Sequence, residues 1–95
     1  MEFLFHPLAT KEFRISADWY KERSPKQEKF FIQNVFEVID FIINNPTAFQ
    51  KTKGEKRAAK VKGFPFSIIY IIYSDGIFVV SVFHHSRNPK IWKKR

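Results

Sequence analysis

Two apolar runs of strand length stand back to back late in the chain, Phe66–Tyr73 and Ile77–His84, with Ser74-Asp75-Gly76 between them. β-Branched and aromatic residues flanking a short Gly-containing turn signal a β-hairpin. Side chains of a strand alternate between its two faces. Yet Ser67-Ile68-Ile69-Tyr70-Ile71-Ile72-Tyr73 is apolar on both, and Ile77 to Phe83 nearly so. A sheet built around such a hairpin wants cover on both sides. This requirement constrains everything else that the chain can fold into.

The rest of the sequence supplies part of that cover. Glu2–His6 reads as a short first strand ended by Pro7. From Leu8 to Glu22, the residues Ala9, Phe13, Ala17 and Tyr20 recur at helical spacing. Ser24-Pro25 is an N-cap and first-turn pair for a second helix, with Phe31, Val35, Val38, Ile39 and Ile42 as its core stripe. Asn45-Pro46 stops it, because the residue before proline disfavours helix. Residues 46–56 read as a polar, Lys-rich loop, Arg57–Lys62 as a strand, and His85–Arg95 as a basic tail containing Trp92. Pro65 marks the start of the strand that follows. The expected fold is α+β in one domain over residues 1–95: a short N-terminal strand, a two-helix hairpin, then an antiparallel sheet of three further strands. Two helices cover one face of such a sheet. Phe30 and Phe41 lie off the core stripe of the second helix, so a partner is expected to cover what the chain does not.

Composition narrows the chemistry. There is no cysteine, hence no disulfide, thiolate nucleophile or Cys-based zinc site. Only three glycines are present, and neither a P-loop, a G-x-G-x-x-G nor a G-x-S-x-G occurs. His84 and His85 are adjacent, so on a strand they point to opposite faces and do not jointly hold a metal. No cofactor or metal is expected. The start of the chain lacks the pattern of a signal peptide. No run approaches the ~18 apolar residues of a membrane span. A cytoplasmic protein is expected.

Charge is divided unevenly. Residues 1–48 carry six Lys or Arg against seven Asp or Glu, whereas residues 49–95 carry eleven against two, a net of +9 in the second half. Such asymmetry is an electrostatic footprint for phosphate or for an acidic protein. Candidate contributors are Arg57, Lys60 and Lys62, then His84, His85, Arg87, Lys90 and Lys93, with Trp92 beside them. For Lys60 and Lys62 the alternative is a pair of solvated lysines that protect a sheet edge.

Several stretches together resemble the RelE/ParE superfamily of bacterial type II toxins, which includes plasmid stabilisation proteins. They are Ala9 with Phe13, Trp19-Tyr20-Lys21-Glu22-Arg23-Ser24-Pro25, Phe31 to Ile42 with Asn45-Pro46, and Gly54 with Arg57. Lys62-Gly63-Phe64-Pro65-Phe66, Ile69-Tyr70, and His84 with Ser86-Arg87-Asn88-Pro89 and Trp92 complete the set. The resemblance implies a growth-arresting toxin held inactive by an acidic, partly disordered antitoxin. RelE-like members cleave mRNA on the ribosome, and ParE-like members poison DNA gyrase. If RelE-like, Arg57, Lys62 and Arg87 match the catalytic set. After His85 there is no Tyr or His, which inclines the reading towards the ParE-like branch. Lys60, His84, His85, Lys90, Lys93 and Trp92 are expected at the target or at phosphate, and Phe30 and Phe41 at the antitoxin. A noncatalytic nucleic-acid-binding module, and a degenerate toxin retained for antitoxin binding alone, are the alternatives.

Overall fold

The computed structural model describes residues 2–95. Its elements are β1 (Glu2–Phe5), α1 (Pro7–Arg23), α2 (Pro25–Asn44), β2 (Lys51–Lys53), β3 (Lys56–Lys60), β4 (Phe66–Tyr73), β5 (Gly76–His84) and α3 (Lys90–Lys93). The sheet has the order β1-β5-β4-β3-β2. All pairings are antiparallel except β1 with β5, which is parallel.

The helix boundaries follow from caps. His6 Nδ1 accepts from the Leu8 amide at 3.0 Å, and Pro7 takes the first turn, where no backbone donor is needed. Ser24 serves two helices. Its amide donates to the Tyr20 carbonyl to close α1, and its Oγ accepts from the Gln27 amide to open α2. Gly76 is where β1 arrives: a Cβ there would stand 3.0 Å from the Glu2 carbonyl oxygen, so glycine lets the parallel strand approach.

Two differences from the sequence reading concern the second half. The stretch read as a loop contains β2 and a tight hairpin into β3, with Gly54 at φ +56°. Alternation of Lys51, Thr52 and Lys53 carries no apolar signal, so the strand is invisible to a hydrophobic pattern. A lysine-bearing strand at the sheet edge also guards that edge. The second difference is the cover of the sheet. One face packs on α1 and α2 through Phe31, Val35, Ile39, Ile42, Ala59, Val61, Phe66, Ile68, Tyr70 and Val79. The other carries a smaller core of Ile69, Val80, Phe83 and Trp92, with Ala58, Ile71, Phe78 and Ile91 against it. The basic tail therefore folds back as α3 and covers part of the second face itself.

Among the described residues β1 pairs only with Gly76–Val79 of β5, so the edge of β5 beyond Val79 has no described strand beside it. The ladder also shifts there: Ile69 pairs Ser81 and Tyr70 pairs Val79, leaving Val80 as a bulge. Glu12 of α1 and Arg95 close this gap. Glu12 Oε1 accepts from the Val82 amide at 3.2 Å and from Ser81 Oγ at 2.8 Å, and Arg95 Nη1 donates to the Val80 carbonyl at 3.0 Å. The two side chains form a bidentate ion pair at 2.9 and 3.1 Å. No described helix is long and apolar enough to cross a membrane.

Candidate functional site: a groove between the first helix and the open sheet edge

The residues Leu8, Glu12, Ile15 and Trp19 recur at steps of four, three and four, so they form one stripe along α1. It is a second stripe, offset from the buried one of Ala9 and Ala17. Ile15 is 59% exposed and Trp19 49%. Between this stripe and the end of β5 lies a groove of about 470 Å3. Glu12, Ile15, Ser16 and Trp19 form one wall; Tyr20, Pro65, Phe66 and Val82 form the floor; His84, Ser86 and Arg87 form the other wall. A second hollow continues it towards Leu8 and Lys11, sharing Glu12, Ile15 and Arg87.

The groove is apolar along its length and polar at one rim. His84 packs edge-on against Phe66 at 4.8 Å. Its Nδ1 accepts from the Ser86 amide at 3.0 Å, so in the neutral ring the proton sits on Nε2. Ser86 Oγ stands 2.7 Å from the same nitrogen. Arg87 is exposed and takes part in no salt bridge among the described residues. Across the groove the Arg23 guanidinium stacks 3.5 Å over the Trp19 ring and donates to the Trp19 carbonyl, fixing the indole from behind. Chemically this is a binding groove: aliphatic and aromatic surface ending in a guanidinium and a histidine N–H.

The structure disperses the residues expected as a catalytic set. Arg57 faces the helices, where its Nη1 donates to the Phe49 carbonyl beside Tyr70. Tyr70 O–H donates to the Pro46 carbonyl at 2.7 Å, and burial raises its pKa against the opposing pull of Arg57. Lys62 lies in the turn past the far end of β3, whereas Arg57 stands near that strand's start. Only Arg87 of the three lines the groove. Arg57 is thus tied up in holding the segment after α2.

The remaining candidates divide between faces. His84 enters the groove, whereas His85 sits on the opposite side with Lys60. Lys90 and Lys93 lie on α3, and the Lys93 carbonyl accepts from Lys56 Nζ at 3.2 Å. Trp92, expected at the target surface, is only 5% exposed and stacks edge-on with Phe83 at 5.9 Å. It is a core residue of the second face. Phe30 and Phe41 are exposed on α2 as expected, but neither lines the groove. The sequence reading missed Leu8, Glu12, Ile15 and Trp19. Their spacing carried the signal, but one core stripe had already been assigned to that helix.

A two-helix hairpin laid on one face of a small antiparallel sheet, with a first strand added in parallel, defines a small α+β domain. The sequence matches the family described as "ParE toxin of type II toxin-antitoxin system, parDE" over residues 3–89, and the chain belongs to that family. α3 and Arg95 lie beyond the matched residues. Among solved structures the chain is similar to one described as "Chromosomal ParDE TA system from P. aeruginosa", with a TM-score of 0.75 and 16% identity. The similarity covers 88% of this chain and 95% of that one. No curated protein matches.

Proposed function

We propose that this toxin arrests growth by inhibiting DNA gyrase, and that its antitoxin neutralises it by laying an acidic amphipathic segment into the α1–β5 groove. The observation that carries the docking site is the groove itself: an apolar stripe on α1 facing His84 and Arg87 on a strongly basic chain. Apolar side chains of the segment fill the space beside Ile15, Trp19 and Phe66. Its carboxylates meet Arg87. A segment that is disordered when free gains its order from this contact. Arg87 lines the groove and Arg57 does not, which favours Arg87 as the cation that the segment meets.

The gyrase reading draws on membership of the ParE family and on the dispersal of Arg57, Lys62 and Arg87. Ribosome-dependent mRNA cleavage needs such groups gathered around one phosphate, with general acid–base help worth about 10²–10⁴ in rate. Induced expression in a bacterial host tests the reading. Filamentation and a DNA-damage response are expected before translation falls, with growth restored by the antitoxin. Normal growth at high expression of the folded protein would exclude a toxin. For the groove, Arg87→Glu is expected to weaken antitoxin binding about tenfold or more, the loss of one charged contact. Unchanged binding would move the antitoxin elsewhere, with Phe30 and Phe41 of α2 the next surface to test.

A further inference from the structure

A second cluster of polar side chains lies on the sheet face opposite α1 and α2, and neither the groove nor the core uses it. Lys60 of β3 is paired across the ladder with Ser67 of β4. Ser67 Oγ stands 2.8 Å from His85 Nε2. The His85 amide donates to the Pro65 carbonyl at 2.9 Å, which fixes the backbone that carries the ring. Three adjacent chain segments thus bring an ammonium, a hydroxyl and an imidazole to one end of one face. We propose that Lys60, Ser67 and His85 form a binding site for a phosphate group.

Three arguments support the assignment. The donors suit a tetrahedral oxyanion: the Lys60 ammonium is one, and protonation of His85 supplies a second, because its Nε2–H then donates to Ser67 Oγ and leaves the hydroxyl proton for the anion. The local charge is uncompensated: Lys60 takes part in no salt bridge among the described residues. The field is also measurable at the ring. Burial lowers the pKa of His85, the charges of Lys60 and His84 lower it further, and a hydrogen bond to the Phe66 backbone opposes them. An anion seated against Lys60 reverses the charge that the ring senses, so binding and protonation of His85 reinforce each other. Affinity therefore rises as pH falls towards the pKa of His85.

Both a phosphodiester in a nucleic-acid backbone and a free phosphate group carry the required oxygens. The experiment is an NMR titration of the full chain with inorganic phosphate and, separately, with a short single-stranded oligonucleotide lacking terminal phosphates. Saturable shifts at Lys60, Ser67 and His85, with the His85 titration midpoint moving upward, are expected. Lys60→Ala is expected to weaken binding about tenfold, as for loss of one charged hydrogen bond. Ser67→Ala is expected to weaken it less while leaving the rest of the spectrum in place. Saturation by the oligonucleotide identifies a backbone site, and saturation by phosphate alone identifies a small phosphorylated ligand. Shifts that never saturate with either probe, or saturable binding unchanged in Lys60→Ala, would overturn the site.

Discussion

Glu12 and Arg95 form an ion pair whose side chains are each 11% exposed, and they finish a sheet edge that no described strand covers. Removing one partner leaves the other charge partly buried, a change that costs about 3–5 kcal/mol where burial is complete. Some solvent reaches this pair, so Glu12→Ala and Arg95→Ala are each expected to lower unfolding free energy by about 2–3 kcal/mol. Denaturant unfolding reads this directly, and a loss below half a kcal/mol would mean that water replaces the pair. Trp92 offers a sharper contrast. Its Nε1 is buried without a hydrogen-bond partner among the described residues, so Trp92→Phe removes an unsatisfied donor while keeping most of the ring. That variant is expected to retain stability within about 1 kcal/mol, against roughly 3–5 kcal/mol lost in Trp92→Ala. His85 adds a pH dependence. Its folded pKa is depressed from the ordinary 6.5, so the unfolded chain binds the proton first as pH falls. The contribution of this residue is present above pH 6.5 and is lost as pH drops below that value. Lys60→Ala is expected to raise the His85 midpoint in an NMR titration, and an unmoved midpoint would refute the coupling.

The elements most legible in the sequence were those set by strong local chemistry. Ser24-Pro25 and Asn45-Pro46 bound α2, and the stripe Phe31, Val35, Ile39 and Ile42 is buried as its spacing requires. Val38, placed on the same stripe, is only half-buried at its margin. Ser74-Asp75-Gly76 joins β4 to β5, with Ser74 at φ 46°. Pairings of distant segments were less legible. Nothing local to Lys51-Thr52-Lys53 announces a strand; its partner β3 makes it one. Similarly, α3 is a single turn whose reason for existing is Trp92 meeting Phe83. The candidate groove was hidden for a different reason. α1 carries two stripes, and Ala9, Phe13, Ala17 and Tyr20 explained the helix well enough to conceal Leu8, Ile15 and Trp19. The double use of Ser24 is testable: Ser24→Ala is expected to cost about 1 kcal/mol as a lost N-cap, read by thermal unfolding.

Across the whole molecule, charge and apolar surface are arranged on two sides of one sheet. The helix side carries the groove, whose rim residue Arg87 suits an acidic antitoxin segment. The opposite side carries Lys56, Lys60, His85 and α3, with the tail closing part of a surface that two helices leave open. The partner inferred from a doubly apolar sheet therefore has less to cover than the sequence implied, and in the proposed docking mode its cover is concentrated on α1. Arrest through gyrase is the central claim of this account. The most direct measurement is supercoiling of relaxed plasmid by purified gyrase, titrated with the folded toxin in the presence and absence of its antitoxin. Loss of supercoiling with rising toxin, restored by stoichiometric antitoxin, is the result expected. Undiminished supercoiling, together with messages cut at the ribosomal A site in induced cells, would contradict it.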